Sequence, residues 1–382
     1  MALRLLHTSD WHLGRTLHEE PLLADQAWVL ARLVEVLRET RPDALVIAGD
    51  IYDRAVPSAE AVALLDDLLC QVAGLGIPVV AIAGNHDSPE RLSFGARLLE
   101  AGGVHLRGGL DRVAAPIALG GRGLIYAMPF VDPEEVRGQT GDEAVRGHAA
   151  ATERIVAAAR ADAAGRDLPT VLVAHAFVQG AAETPDSERP TSVGTAGSVP
   201  ESTLAGFDYV ALGHLHAPQE IAPGIRYSGS LLKYSFAEAE HRKGALLVEV
   251  TRGGAPRVEH LPLGQRREVV RLRGTLAALL EDPALARHQG ALVEATLDDP
   301  GYVFDARHRL QERFAHVLSV LRPALLPGGE GTFAARVAGA GGDDLALFDA
   351  FMATVSGGPP GPGEAACFAA ALDAVAGRER DA

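Results

Sequence analysis

The sequence predicts an α/β fold in its N-terminal part, because short apolar runs alternate there with amphipathic stretches of helical period. The helical patterns lie at residues 21–39, 58–73 and 89–101, with a long Ala-rich helix near 142–164. A stretch rich in Pro, Ser, Thr and Gly at 180–200 predicts a loop. The strand-like runs are at 3–7, 44–48, 78–83, 123–128, 170–174, 208–212, 225–229 and 244–250.

The pattern changes near residue 266, where strand and helix signals follow one another in the order β-α-β-α-β as far as Leu326. We therefore expect a first domain over 1–264 and a small α+β domain over 265–335. Residues 336–382 then form a linker and two short amphipathic helices, near 343–355 and 364–377. The segment between them, GGPPGPG, cannot be helical, because proline and glycine interrupt a helix.

Composition indicates a reduced, cytoplasmic protein with no membrane segment. The 382 residues are 47% apolar, which is enough for a sizeable core, yet no apolar run approaches the ~18 residues of a membrane span. The N-terminus lacks the pattern of a cleaved signal peptide. Cys70 and Cys367 are the only cysteines, and they form no C-x-x-C pattern.

The net charge of −15 counts against nucleic-acid binding, since DNA-binding proteins usually present a basic face. Arginines are nevertheless concentrated in one stretch, which holds only Glu259 and Glu268 as acidic residues. This stretch is either a DNA-contacting surface or a solvated strand or linker, and the sequence leaves both interpretations open. The four arginines that we take as candidate DNA contacts are Arg266, Arg267, Arg271 and Arg273.

Five clusters of polar residues each follow a predicted strand directly. The carboxyl ends of strands in an α/β sheet converge at one edge, where ligands bind. The side chains are carboxylates, imidazoles and one amide, a mixture that suits Mn²⁺, Fe²⁺ or Zn²⁺. The clusters are DWH (10–12), GDIYD (49–53), GNHD (84–87), His175 and GHLH (213–216).

Two ions about 3.5–4 Å apart need one bridging ligand and several terminal ligands. Asp50 can bridge; Asp10, His12 and His216 can complete the shell of one ion; and the other ion can take Asn85, His175 and His214. His86 is then left beside the ions, where it can stabilise charge or protonate the leaving oxygen. Taken singly, a histidine such as His175 is more often a hydrogen-bonded core residue, but five clusters in this order leave little room for a structural explanation.

The set D-x-H, G-D-x-x-D, G-N-H-D, H and G-H-x-H resembles that of the calcineurin-like metallophosphoesterases. Over about residues 1–335, the longer strings TSDWHLGRTL, GDIYDRAVPSAEAV, GNHDSPERL and RYSGSLLKYSF are similar to those of the SbcD nuclease subunits of bacterial SbcCD complexes. This resemblance implies two sandwiched sheets flanked by helices, a Mn²⁺ pair, and hydrolysis of DNA phosphodiesters. It gives the same seven ligands and makes His86 catalytic, and we add Asp53 and Asp87 as catalytic candidates.

The resemblance also implies a capping domain that orients DNA, a homodimer, and a partner, the coiled-coil ATPase SbcC. The family dimerises through helices in the region of 58–73. Burial within one chain explains the apolar residues of that helix equally well. The C-terminal helices fit the ATPase-binding segment by position, with docking back on the nuclease as the alternative.

Only two lysines are present and no G-x-x-x-x-G-K-[ST] loop exists, so any ATP dependence must come from a partner.

Two further arginines, Arg15 and Arg54, are candidates for substrate binding. Asp53-Arg54 resembles the Asp-Arg pair with which protein phosphatases of the same superfamily grip phosphate, but Ala55 stands where they carry glycine. The function expected from the sequence is therefore a Mn²⁺-dependent DNA exonuclease and endonuclease. The two rival interpretations are an enzyme acting on small phosphodiesters or phosphoproteins, and a non-catalytic scaffold that keeps the fold.

Overall fold

The computed structural model describes residues 2–185, 197–300, 303–322, 343–355 and 358–380. The chain divides into two compact units, 1–269 and 270–382. Part of the predicted loop at 180–200 and part of the predicted linker after Leu326 lie outside the described residues.

The first unit contains two six-stranded sheets. In each sheet four neighbouring strands run parallel, and antiparallel strands complete the edges. The first sheet has the order Arg257–Pro262, Gly244–Val250, Leu3–Thr8, Ala44–Ile47, Val79–Ile82, Val104–Arg107. The second has the order Gln219–Ala222, Ile225–Tyr227, Tyr209–Gly213, Thr170–His175, Leu124–Met128, Ile117–Ala118.

The two sheets pack face to face, as the family resemblance predicts. One apolar cluster joins Leu5, Val46 and Val80 of the first sheet to Val171 and Ala211 of the second. Because successive side chains of a strand point to opposite faces, the alternate residues face outward and need their own cover. Helices supply that cover on both sides, so the fold is a helix-flanked two-sheet sandwich.

The two flanking helices of the first sheet begin and end within two residues of their predicted bounds. Leu23–Thr40 buries Val29, Leu33 and Leu37 at the spacing of one helical face. Ala59–Gly74 starts at Ser58, whose hydroxyl accepts a hydrogen bond from the Ala61 amide. The Ala-rich helix Gly147–Ala164 packs small residues against the second sheet.

Two helical predictions need correction. The helix predicted at 89–101 is broken into Pro89–Leu92, Ala96–Leu99 and the short 3-10 turn Glu100–Gly102, because Gly95 takes a left-handed φ of 71° between them. The helix predicted from residue 142 begins only at Gly147, after a separate helix Pro133–Thr140. The short elements without a sequence prediction include Thr16–Leu17, Glu20–Pro21, Val104–Arg107, Ile117–Ala118, Phe177–Val178, Ser198–Val199, Glu201–Leu204, Gln219–Ala222 and Phe236–Glu238.

The second unit begins with the predicted β-α-β-α-β order. Its three-stranded sheet packs on two short helices through a core that includes Leu272, Leu310 and Phe314. A 3-10 turn, Pro283–His288, precedes the second strand. The elements are Val269–Gly274, Leu276–Glu281, Leu292–Leu297, Ala306–Gln311 and His316–Leu321.

Two helices follow near the C-terminus, Asp344–Val355 and Pro362–Arg380. They contact each other through the stacked rings of Phe348 and Phe368, whose centroids are 4.1 Å apart. Leu345 and Phe351 remain nearly half exposed on the first helix. Within the described residues, no helix is both long and apolar enough to cross a membrane.

Candidate metal centre

The five polar clusters meet at one end of the sandwich. Asp10, Asp50 and Asn85 follow three adjacent parallel strands of the first sheet. His175 ends one strand of the second sheet, and His214 follows its neighbour. The strand ends bring these side chains together, as the sequence predicts, and both sheets contribute residues to the group.

The backbone at this end of the sandwich is strained at the ligands themselves. Asp10, His12, Asp50 and His214 have φ values of 54°, 44°, 50° and 114°, a region that non-glycine residues seldom adopt. Such strain persists only where the surrounding structure enforces it, and it concentrates at functional sites. Hydrogen bonds between two ligand loops enforce it here, from the Asp10 amide to the Gly49 carbonyl at 3.0 Å and from the His12 amide to the Asp50 carbonyl at 2.9 Å.

A glycine permits close approach where the sheets meet. A Cβ on Gly84 would lie 2.2 Å from Asp50 Oδ1, and one on Gly213 would lie 1.9 Å from the Ala48 carbonyl oxygen. Any side chain at either position would therefore displace a ligand loop. This explains why GNHD and GHLH begin with glycine.

The side-chain atoms form two groups on either side of Asp50. On one side, His12 Nε2 lies 3.0 Å from His216 Nε2 and 3.7 Å from Asp50 Oδ2, and Asp10 is within reach of both histidines. On the other side, Asn85 Oδ1 lies 3.0 Å from His175 Nε2 and 3.1 Å from His214 Nδ1. His175 Nε2 is 3.5 Å from the same Asp50 Oδ2.

The donor atoms fit a pair of cations. His175 Nδ1 faces the Ala48 carbonyl at 2.9 Å and His216 Nδ1 faces Glu238 Oε1 at 3.0 Å, so both Nδ1 atoms donate a proton. In a neutral imidazole the Nε2 atom then carries a lone pair. The His175 Nε2 lone pair faces the oxygens of Asp50 and Asn85, and the His216 Nε2 lone pair faces His12 Nε2, so a bound cation would satisfy both. Imidazole, carboxylate and amide ligands suit a divalent transition metal.

The pKa shifts of His175, Asp50 and Asp10 reflect how these buried groups act on one another. Burial disfavours protonation of His175, but the carboxylates of Asp50 and Asp10 outweigh it and raise its pKa to about 9. Burial tends to raise the pKa of Asp50, yet the nearby histidines hold it well below its ordinary value. Asp10 has its pKa raised to about 6, chiefly by burial. A negative centre at Asp50 is thus surrounded by groups that favour positive charge.

His86 lies beside the two groups of ligands. Its amide donates to Asp50 Oδ1 at 2.9 Å, and its Nδ1–H donates to the Asp53 carbonyl at 2.8 Å. The ring is edge-on to His12, with centroids 4.7 Å apart. Nε2 is thereby left with a lone pair or a proton to exchange. A nitrogen of His86 is also close enough to His12 and Asp50 to join them as a ligand, so geometry alone allows either role.

The carboxylates of Asp53 and Asp87 have different surroundings. Both oxygens of Asp87 are taken by backbone N–H groups, those of Ile51, Tyr52 and Gly84. Burial, together with the charge of Asp50, raises the pKa of Asp87 to about 7. These contacts favour a role in holding the loops rather than in catalysis. Asp53 is partly exposed and faces the ligand site, with Oδ1 3.6 Å from His12 Nδ1.

The candidate substrate-binding arginines also differ. Arg15 lies 3.7 Å from Asp53 and covers the ring of Tyr234, whereas Arg54 is 76% exposed. Arg267 is almost buried and donates to Asp25, Glu20 and the Pro21 carbonyl. The structure therefore ties Arg267 into the fold of the first unit, which argues against the predicted DNA contact.

The three other arginines of that stretch are more accessible. Arg266 is about half exposed and lies 3.6 Å from Asp25. Arg271 and Arg273 lie on the strand Val269–Gly274, two residues apart and so on one face, and are 59% and 71% exposed. Each pairs with one carboxylate, Glu294 or Asp298. The stretch is therefore mostly strand, with Arg267 bound within the fold and Arg271 and Arg273 exposed.

A family model for the calcineurin-like phosphoesterases matches residues 3–218, which include every predicted metal ligand. A curated relative, the D subunit of the nuclease SbcCD from Staphylococcus saprophyticus, is 33% identical over 320 residues, covering 83% of this chain and 84% of the relative. The chain belongs to the SbcD family of calcineurin-like phosphoesterases. It is thus a metal-dependent phosphodiesterase, as the sequence predicts.

Two solved structures are similar to this phosphoesterase at low identity. TT1561 of Thermus thermophilus has a TM-score of 0.40 at 14% identity, covering 68% of this chain and 99% of that chain. A dimetal phosphatase from Danio rerio has a TM-score of 0.41 at 14% identity, covering 68% of this chain and 98% of that chain.

Two residues that hold the loop around His12 in the phosphoesterase carry no signal of that role in the sequence. Gln26, in the helix Leu23–Thr40, accepts from the Gly14 amide and donates to the carbonyls of Trp11 and His12. The Tyr234 hydroxyl donates to the Trp11 carbonyl as well. A single glutamine on a helix gives no signal of such a role, because only the folded backbone brings the carbonyls to it.

Proposed function

We propose that this chain is a Mn²⁺-dependent DNA nuclease, a double-strand exonuclease and single-strand endonuclease. We further propose that it is the nuclease subunit of an SbcCD-type complex that acts in DNA repair and recombination. The observation that carries the proposal is the complete set of seven converging ligands in a chain 33% identical to an SbcD nuclease subunit over most of its length. A non-catalytic scaffold would have no need to keep strained backbone at four of those ligands.

In this proposal Asp50 would serve both ion sites. Asp10, His12 and His216 complete one site, and Asn85, His175 and His214 complete the other. When bound, a pair of divalent ions activates water and neutralises charge on the attacking and leaving oxygens. His86, held by the Asp53 carbonyl and by Asp50, presents Nε2 toward that centre as an acid or charge stabiliser.

The remaining charged residues are assigned to positioning. Arg15 is held near the ligands by Asp53 and by the ring of Tyr234, so it is placed to meet a phosphate oxygen. Asp53 orients both Arg15 and, through its carbonyl, His86. Asp87 fixes the loops that carry Asp50 and Asn85 through three backbone hydrogen bonds.

A side-by-side assay of substrates tests the activity. Purified protein with Mn²⁺ is offered plasmid, linear duplex DNA, single-stranded circles and p-nitrophenyl phosphoesters. We expect linear duplex to be degraded from its ends and single-stranded circles to be opened. Turnover of p-nitrophenyl esters without cleavage of any DNA would replace the proposal with a phosphoesterase of small substrates or phosphoproteins.

The exposed pair Arg271 and Arg273 is proposed to contact the DNA backbone. Replacing both with Gln should weaken duplex binding and reduce the salt slope, because each phosphate contact contributes about 0.9 to the slope of log K against log salt. Fluorescence anisotropy of a labelled duplex between about 50 and 200 mM salt, the range where such slopes are clear, measures this directly.

Arg267→Gln serves as the contrasting variant for this experiment. Since Arg267 is bound to Asp25 and Glu20, its loss should lower the melting temperature while leaving the salt slope of DNA binding unchanged. An unchanged slope for the Arg271 and Arg273 variant would mean that this strand is merely solvated and that DNA binds elsewhere.

The C-terminal helices are proposed to bind the coiled-coil ATPase SbcC. They pack on each other through Phe348 and Phe368, yet Leu345 and Phe351 stay nearly half exposed. Exposed apolar residues on an amphipathic helix are typical of a surface that binds another helix.

Deleting residues 336–382 should abolish capture of the ATPase in a pull-down while cleavage of simple substrates in Mn²⁺ is kept. The unit 1–269, with its own two-sheet core, retains all proposed ligands in this truncation. Continued capture of the ATPase would contradict the assignment. An insoluble truncated chain would favour the alternative, that the helices dock on the rest of the protein.

A homodimer is also proposed, through the helix Ala59–Gly74 and the broken helical segment after it. Phe94 and Leu98 on that segment are 87% and 83% exposed, and Val62 on the helix is 44% exposed. Large apolar side chains that stay exposed are typical of a contact with another chain. Sedimentation at several concentrations would measure the oligomeric state.

A further inference from the structure

Resting on the ligand assignment proposed above, we infer that the buried ion pair Glu238–Lys243 is a positioning device for one metal site only. It anchors His216 and thereby makes the site of Asp10, His12 and His216 the tighter of the two. Neither residue belongs to any of the five sequence clusters.

Glu238 contacts the imidazole on the side away from the centre. Its Oε1 accepts the Nδ1–H of His216 at 3.0 Å, and its side chain is completely buried. This hydrogen bond fixes the tautomer with the Nε2 lone pair toward His12, 3.0 Å away. A carboxylate behind a histidine also raises the basicity of the imidazole and so strengthens its bond to a metal.

Lys243 holds the same residue by its backbone. Its Nζ donates to the His216 carbonyl at 2.7 Å and to Ser230 Oγ at 2.7 Å, and it lies 2.5 Å from Glu238 Oε2. His216 is therefore held at both its ring and its carbonyl by one ion pair. The residue can neither rotate its ring nor shift its loop without breaking a buried charged contact.

The opposite metal site is built differently. His175 donates its Nδ1–H to the Ala48 carbonyl, which carries no net charge. A neutral carbonyl orients the ring as well as a carboxylate does but adds less to its basicity. The two sites thus differ in the charge behind a ligand, and this difference predicts unequal affinity.

Stabilisation of the fold does not by itself explain why the ion pair Glu238–Lys243 is buried here. Two charges taken out of water are costly to bury, and an apolar pair of similar volume is often as stabilising or more so. Here both charges converge on a single metal-site residue rather than on the general core. We therefore attribute the pair to the geometry and basicity of His216.

The test uses two double variants that leave no unpaired buried charge. Glu238→Leu with Lys243→Met removes both the charge and the hydrogen bond to His216. Glu238→Gln with Lys243→Met keeps an oxygen that can accept the Nδ1–H but removes the charge. Glu240→Gln, an exposed carboxylate two residues away, is the matched control. Calorimetric titration of the metal-free full-length proteins with Mn²⁺ gives the affinity of each of the two sites.

In the Leu and Met variant, we expect the tighter Mn²⁺ affinity to fall about 10- to 100-fold, the range typical when such a supporting contact is lost. The affinity of the weaker site should be unchanged. In the variant with Glu238→Gln and Lys243→Met, the tighter affinity should lie between that of the first double variant and that of the wild type. Equal weakening of both sites, or no weakening of the tighter one, would overturn the inference. A wild-type protein that binds no Mn²⁺ pair would instead refute the proposed function, so the two failures are distinguishable.

Discussion

Replacing Asp50 with Ala should abolish cleavage of every substrate and reduce Mn²⁺ binding at both sites. The Asp50 carboxylate lies within 3.7 Å of the Nε2 atoms of His12 and His175, one from each side of the centre. Loss of a charge shared by both sites removes several kcal/mol of transition-state stabilisation, which corresponds to a rate lower by about 10³-fold or more. Metal content by mass spectrometry of the native protein and a nuclease assay should be measured on the same sample.

Asp167→Ala is the control for this variant, since Asp167 is an exposed carboxylate of the same unit and belongs to none of the proposed binding surfaces. It removes the same charge from the same unit and should leave metal content and activity as they are. Full metal occupancy with retained activity in Asp50→Ala would disprove the bridging assignment.

His86→Ala should keep both ions and DNA binding yet lose most turnover. The loss of a general acid or charge stabiliser typically costs about 10²–10⁴-fold in rate. The His86 contact with Asp50 is made by the backbone amide, so the Ala variant keeps it and leaves the seven proposed ligands in place. Single-turnover kinetics at saturating enzyme separate the chemical step from binding.

The matched control is His308→Ala, an exposed histidine of the second unit, for which no change is expected. A rate loss accompanied by the loss of one Mn²⁺ ion would contradict the division of roles. It would show that His86 is a ligand, as its proximity to His12 and Asp50 also allows.

The type and order of the main elements could be predicted from local pattern. The apolar residues of strands such as Ala44–Ile47 and Gly244–Val250 are mostly buried, because burial removes them from water. The broken helix after Pro89 could not be predicted, since its residues permit a helix and only the left-handed turn at Gly95 interrupts it. Short edge strands such as Gln219–Ala222 gave no signal, because they depend on a partner strand rather than on their own pattern.

The sequence by itself determined the chemistry of the site: which carboxylates, imidazoles and amide stand at strand ends, and therefore that they meet. The tertiary structure alone decided what supports them. Gln26, Glu238 and Lys243 lie outside the sequence clusters that they support. Only the contacts of Arg267 with Asp25 and Glu20 distinguish it from the exposed Arg271 and Arg273. Ligands are dictated by residue type and position on an element, whereas support depends on which distant backbone atoms arrive within about 3 Å, the range of a hydrogen bond.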